Sequence, residues 1–195
     1  MICLLDVCVV KPGISQARIH TSADNNAPIY FIYSAEDLRN DLTGTVKDCW
    51  LPDERVNNIH SYDDLDVLVP GDLVYSILSH TAALVSKAHA GFILTSNFVK
   101  LEPNSMLDKR YLMFLLNCHP DVRDSLLGGI DDSYFKRVTI KSLGSMVIPD
   151  LPDINTQQII GNTYVLQKQL TGKRQESLEL KEKYVIESLL RKVRK

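Results

Sequence analysis

The sequence predicts a mixed α/β (α+β) domain over residues 1–152, followed by one long C-terminal coiled-coil helix over residues 153–195. Three observations carry this prediction. Short β-type runs, separated by Pro, Gly and Asp, recur up to about residue 150. Proline disappears after Pro152, and helix formers take over. Apolar residues beyond that point then fall close to a heptad spacing.

Met1 to Val10 is apolar, but it lacks a basic leader and Asp6 interrupts it. It reads as a buried first strand closed by a Lys11-Pro12-Gly13 turn rather than as a signal peptide. Ala27 to Tyr33 is aromatic and β-branched, which favours a strand, and the polar stretch Ser34 to Asn40 suits one helical turn. Val67-Leu68-Val69, the turn Pro70-Gly71-Asp72 and the strand Leu73 to Ile77 follow. Ala82 to Val85 and Gly91 to Thr95 read as consecutive strands, and Phe98 to Leu101 alternates until Pro103 stops it. Tyr111, Leu112, Leu115 and Leu116 make one apolar face of a helix from Asp108 to Asn117. Pro120 opens a second short helix through Leu126 and Leu127, ended by Gly128-Gly129. Val138 to Ile140 and Met146 to Ile148 read as strands around a Leu143-Gly144 turn.

Asn155, with Gln158 three positions on, suits a capping-box variant at the start of the long helix. Ile159, Leu166, Leu170, Leu178, Val185 and Leu189 are separated by 7, 4, 8, 7 and 4 positions, a heptad seam with one slip. A helix from residue 155 to 193 would be about 58 Å long, far more than the domain needs for its own core. Gly161 and Gly172 each weaken it by roughly 1 kcal/mol relative to alanine, and Gly172 suits a kink or a break. A solvated helix folded back on the domain is one alternative; the seam favours pairing with another helix.

Composition limits the function classes. The hydrophobic share of 45% and charged share of 24% are ordinary for a globular protein. No apolar run approaches the ~20 residues of a membrane span. No repeat with the period of a solenoid or propeller is visible. Cys3, Cys8, Cys49 and Cys118 form no paired motif, so buried free thiols in a reducing cytoplasm are expected. His20, His60, His80, His89 and His119 show no metal-ligand spacing, and neither a metal nor a cofactor is implied. The net charge of −2 hides a gradient: residues 1–72 hold 5 Lys/Arg against 12 Asp/Glu, and residues 168–195 hold 9 against 4.

Signs of catalysis are missing. No glycine-rich phosphate cradle and no Asn-Pro-Pro-Tyr motif occurs. Glu179-Leu180-Lys181 lies within the predicted helix without a preceding aspartate, so it reads as a surface ion pair. Ser79-His80 reads as a hydrogen-bonded loop rather than a nucleophile and base.

An ordered series of short motifs resembles the specificity (S) subunits of type I restriction-modification systems. Leu5-Asp6-Val7-Cys8 with Lys11-Pro12-Gly13-Ile14-Ser15 is similar to the family's opening strand and "G-I-S" turn. Pro70-Gly71-Asp72-Leu73-Val74 resembles its "G-D-I/L-L" element. Phe98-Val99-Lys100-Leu101 and Tyr111-Leu112-Met113-Phe114-Leu115-Leu116 resemble the segment that follows. Gly128-Gly129, Leu143 to Pro149 and Leu151-Pro152 are similar to the "I-P-x-P-P" exit. Gln157-Gln158-Ile159-Ile160 stands where the family carries "E-Q-x-x-I", with Thr156 in place of the glutamate. The full-length family has two recognition domains, each followed by a helix; this chain has room for one of each.

The resemblance implies a non-enzymatic target-recognition domain that reads one half of a bipartite site in double-stranded DNA. Its partners would be a DNA adenine methyltransferase (modification) subunit, a restriction subunit and a second S half, as a homodimer or a mixed pair. It also implies a role in defence. DNA reading requires donors and acceptors on loops. Candidates are Ser15, Gln16 and Arg18; Ser79 and Lys87, with His80, Thr81 and Ser86 between; and Ser133, Tyr134, Lys136 and Arg137. The competing reading is a coiled-coil assembly protein of the same fold that no longer reads DNA, supported by the acidic front. A small nuclease is a third, weakened by the absence of a carboxylate cluster.

Overall fold

Residues 73–103 alternate between strand-forming runs and turn residues, and they build the centre of the molecule. Strands β5 (Leu73–Ser76), β6 (Thr81–Leu84) and β7 (Phe98–Pro103) pair antiparallel, and β2 (Cys8–Pro12) joins the far side of β7, giving the order β2-β7-β5-β6. Described here by a computed structural model, the protein is covered over residues 2–45, 57–127 and 138–193. Two small antiparallel pairs flank the sheet: β1 (Ile2–Cys3) with β8 (Val147–Ile148), and β3 (Ile29–Phe31) with β4 (Asn58–His60).

Period-2 alternation places the core on both faces of the sheet. Leu73, Tyr75, Val99 and Leu101 face a cluster completed by α3 (Lys109–Cys118) and α4 (Pro120–Leu127). Val74, Ala83 and Phe98 face a second cluster with Tyr33, Leu38, Phe92 and Leu94. A third, around Ile19, Leu65 and Ile93, supports the β3–β4 pair. The edge strand β6 is covered by a side chain: Asn117 of α3 accepts from Ala82 N at 2.7 Å and donates to Ala82 O at 2.9 Å, as a neighbouring strand would.

Helix α2 (Ala35–Thr43) carries a buried ion cluster. Ser34 caps it, and its Asp37 and Asp41 flank His89, which is 1% exposed. His89 Nε2 lies 3.1 Å from Asp37 Oδ1, and Nδ1 lies 2.8 Å from Asp41 Oδ1. A carboxylate can only accept, so both ring nitrogens carry protons and the ring is an imidazolium. The remaining acceptor capacity is used: Ser34 donates to Asp37, and Tyr33 Oη and Ser86 N donate to Asp41. Burial alone would lower the His89 pKa, but hydrogen bonds to Asp37 and Asp41 outweigh it and hold it at about 9. Burial would likewise raise Asp37, but hydrogen bonds from His89 and Ser34 bring it to about 2.

The chain leaves this body in one unbroken helix, α6 (Ile154–Val193). Its N-terminus is capped by Asp153, whose carboxylate accepts from Asn155 N and Thr156 N at 3.0 and 3.1 Å. Gln157, Gly161, Tyr164 and Gly172 are buried along one stripe, against α3 and α2. Gln157 donates to Met106 O and Pro152 O and accepts from Asp108 N, all within 3.0 Å. Both glycines are points of close approach. A methyl on Gly161 would stand 2.6 Å from Arg110 Cβ and Tyr111 N, and one on Gly172 would run into the Thr43 carbonyl. Beyond Gly172 the helix continues for about 30 Å with every residue exposed apart from half-buried Ser188.

Several elements differ from the sequence prediction. The opening run is no single strand: Leu4–Val7 forms a helical turn, α1, because Leu4 and Val7 both point into the core, a spacing that a strand cannot provide. Lys11 and Pro12 are paired in β2, with no turn there. Gly91 to Thr95 makes only isolated bridges, through Ile93 and Thr95. Val138 to Ile140 is no strand, since Thr139 caps the short helix α5 (Ile140–Gly144), which takes in the expected Leu143-Gly144 turn. Asp153 takes the capping role expected of Asn155, and α6 runs through Gly172 without a break. Cys8 is buried as expected, whereas Cys118 is exposed; Cys49 and Gly128-Gly129 lie outside the described residues.

Gly161→Ala should destabilise the fold by about 1–3 kcal/mol in urea unfolding, although alanine is the better helix former, because overpacking outweighs propensity. The ion cluster gives stability a defined pH profile. The His89 contribution, of the order of 3 kcal/mol, is complete below the ordinary histidine pKa and is lost as pH rises through about 9. That of Asp37 is present above the ordinary aspartate pKa and is lost as pH falls toward about 2. Melting curves from pH 5 to 10 should show the alkaline loss in the unmodified chain, and His89→Leu should flatten it.

Candidate nucleic-acid interface

Antiparallel pairing fixes which loops share an end of the sheet. The segment after β2 (13–18), the turn between β5 and β6 (77–80) and the stretch leading into β7 (94–97) all emerge at the same end. Ser15, Gln16, Arg18 and Ser79 therefore lie at one end of the sheet. Lys87 follows the other end of β6, beside the His89 cluster, so Ser79 and Lys87, grouped together from the sequence, lie at opposite ends. Ser133, Tyr134, Lys136 and Arg137 lie outside the described residues.

The first loop is built to approach its neighbours closely. Gly13 N donates to Phe98 O at 3.0 Å and Ile14 N to Leu94 O at 2.9 Å, and a side chain on Gly13 would collide with the Thr95 carbonyl. Gln16–Arg18 then turns as one 3-10 segment, anchored by buried Ile19. Gln16 and Arg18 are exposed and Ser15 is half-buried. No side-chain hydrogen bond or ion pair holds any of the three among the described residues. In the hairpin turn His80 adopts φ 52°, a left-handed conformation that costs roughly 1–2 kcal/mol outside glycine. His80 N donates to Ser76 O at 3.0 Å, which closes the turn and leaves Ser79 exposed at its tip.

Beside this loop lies a groove of about 300 Å³, lined by residues 11–15, Arg18, residues 64–68, Leu94 and Lys100. Lys100 stands out. It occupies the central strand β7, its side chain is 11% exposed, and its Nζ lies 3.2, 3.7 and 3.8 Å from carboxylate oxygens of Asp66, Asp72 and Glu102. Lys11 pairs with Glu102 at 2.8 Å. Two of the three basic side chains lining the groove are thus matched by carboxylates, and the third, Arg18, has no such partner among the described residues.

Of the residues that line this groove, sequence reasoning had singled out Ser15 and Arg18 and passed over Lys11, Asp64, Asp66 and Lys100; Gln16 does not line it. The one available signal was Lys100 itself, a charge inside the alternating run Phe98-Val99-Lys100-Leu101. The expected seam also has a defined place. Ile159, Leu166 and Leu170 are exposed, and each stands two positions from a buried residue of the packing stripe: Gln157 or Gly161, Tyr164, and Gly172. Two positions on an α-helix are about 200° apart, so the seam faces away from the domain. Leu178, Val185 and Leu189 are exposed on the free half of α6. Among the described residues, no helix is long and apolar enough to cross a membrane.

A scan against protein-family models and a search of curated proteins found no match. Solved structures do match. An HsdS subunit from Thermoanaerobacter tengcongensis is similar with a TM-score of 0.55 and 19% identity, over 89% of this chain and 38% of that one. A chain from a structure of a type I R-M system assembly is similar with a TM-score of 0.59 and 18% identity, over 96% of this chain and 42% of that one. This chain therefore spans about two fifths of the length of the proteins it resembles. A domain built on the β2-β7-β5-β6 sheet and followed by one long helix has the fold of a type I restriction-modification HsdS subunit, over that part of its length.

Proposed function

We propose that this chain is a specificity half-subunit of a type I restriction-modification complex. Residues 1–152 read one half of a bipartite DNA target, and residues 153–195 pair antiparallel with the helix of a second copy to set the distance between half-sites. The observation that carries this reading is the placement of α6. One face is buried on its own domain, and an apolar seam is left open on the opposite face and along a free end. The fold likeness supports the family, and half-buried Ser15 with the exposed Gln16, Arg18 and Ser79 supplies groups that could meet base edges. Catalysis falls to partners, a DNA adenine methyltransferase subunit and a restriction subunit, with the chain acting as reader and scaffold.

The matched charges around the groove favour one feature of this reading. With Lys11 and Lys100 paired to carboxylates, Arg18 is the one basic residue of the groove's described lining left for phosphates, which normally supply most affinity. The partner then provides the rest of the grip on the duplex. The same observation supports a second reading, an assembly protein of this fold that no longer reads DNA. Binding-site selection in the presence of a modification subunit separates the two, since the assembly protein would enrich no sequence.

The isolated chain is expected to sediment as a dimer. Leu166→Glu combined with Leu170→Glu should weaken self-association more than about 100-fold while leaving the domain's melting transition in place. A dimer unaffected by the double substitution would overturn the seam. DNA binding by the chain alone should be weak, and it should tighten when a modification subunit is added. No gain in affinity on that addition would overturn the shared-grip reading.

A further inference from the structure

Resting on the DNA-reading proposal, we infer that Asp66 is a specificity-determining acceptor, positioned by Lys100, that takes a hydrogen bond from a cytosine amino group of the target duplex.

Lys100 collects three carboxylates, and two of them are occupied elsewhere. Asp72 accepts from Val69 N at 3.0 Å, and Glu102 holds Lys11. Asp66 differs from both: its side chain is 75% exposed, it lines the groove, and only one of its oxygens, Oδ2, meets Lys100. Among the described residues Asp66 Oδ1 has no hydrogen-bond partner. An almost buried cation therefore fixes an exposed carboxylate at the groove wall with one oxygen free.

The chemistry of that oxygen selects its ligand. A carboxylate accepts and cannot donate, so it needs a donor. A phosphate offers none and would meet Asp64 and Asp66 as like charges. In the major groove of a duplex the base-edge donors are the amino groups of cytosine and adenine, and a single aspartate matches cytosine N4. Arg18 lines the same groove, with the donor fork that suits guanine O6 and N7. A carboxylate and a guanidinium on one groove wall together suit G·C pairs.

The test is selection from a randomised duplex pool at low salt with the full chain, Asp66→Asn and Asp66→Ala. Because Asp66 is exposed, both variants should melt as the unmodified chain does. The unmodified chain should prefer cytosine at one position on the order of tenfold. Asp66→Asn should move that preference to adenine, which asparagine reads through its paired donor and acceptor, and Asp66→Ala should abolish it at that position alone. If Asp66→Ala enriches the same sequence as the unmodified chain, the inference is overturned while DNA reading stands. A uniform rise in affinity for all duplexes overturns it in the same way, since Asp66 would then only repel phosphates. If the unmodified chain enriches nothing, even with a modification subunit present, DNA reading itself fails and the inference falls with it.

Discussion

The buried amide of Gln157 is the contact on which the arrangement of domain and helix depends. It satisfies the Met106 and Pro152 carbonyls and the Asp108 N–H, three backbone groups from two separate segments. Without it these groups would sit in a closed interface without partners, at roughly 1–3 kcal/mol each. Asp108 in turn caps α3 by accepting from Arg110 N and Tyr111 N, so one side chain links the first turn of α6 to the first turn of α3. Gly161 follows one turn later and brings the two backbones into contact. Tyr164 completes the interface by stacking edge-on against Phe114, with Lys168 over its other side.

From that interface the molecule divides into two electrostatic regimes. The groove end concentrates carboxylates and neutralises its own lysines. The far end of α6 is basic and touches nothing else among the described residues. Such a molecule presents little uniform positive field to a polyanion. On the proposed function, discrimination would come from placed donors and acceptors, a division of labour in which groups that specify a base are separate from groups that bind the backbone.

Much of this architecture was legible because it obeys local rules. The alternating run in β7, the apolar face of α3 and the heptad spacing in α6 are all periodic signals. Several failures share a cause, a distant contact that overrides local preference. The Leu4–Val7 turn forms because Leu4 N reaches Met146 O and both side chains face the core. Gly161 and Gly172 read as helix weakeners, yet each makes room for another segment. Lys100 is one charge in an alternating run of the sequence, and only the fold brings Asp66, Asp72 and Glu102 around it. The seam residues could be counted from the sequence; that they face away from the domain could not.

The two close-contact glycines also restrict how α6 can move. They lie on one face three turns apart, against Arg110 and Thr43. Sliding the helix by one turn in either direction would bring a larger side chain, such as that of Tyr164 or Lys168, onto a site that cannot accept a methyl group. Axial translation is therefore blocked, whereas a small tilt or roll about the glycine contacts is not. A force applied at the free end of the helix would reach α2 and α3 as leverage rather than as a piston stroke.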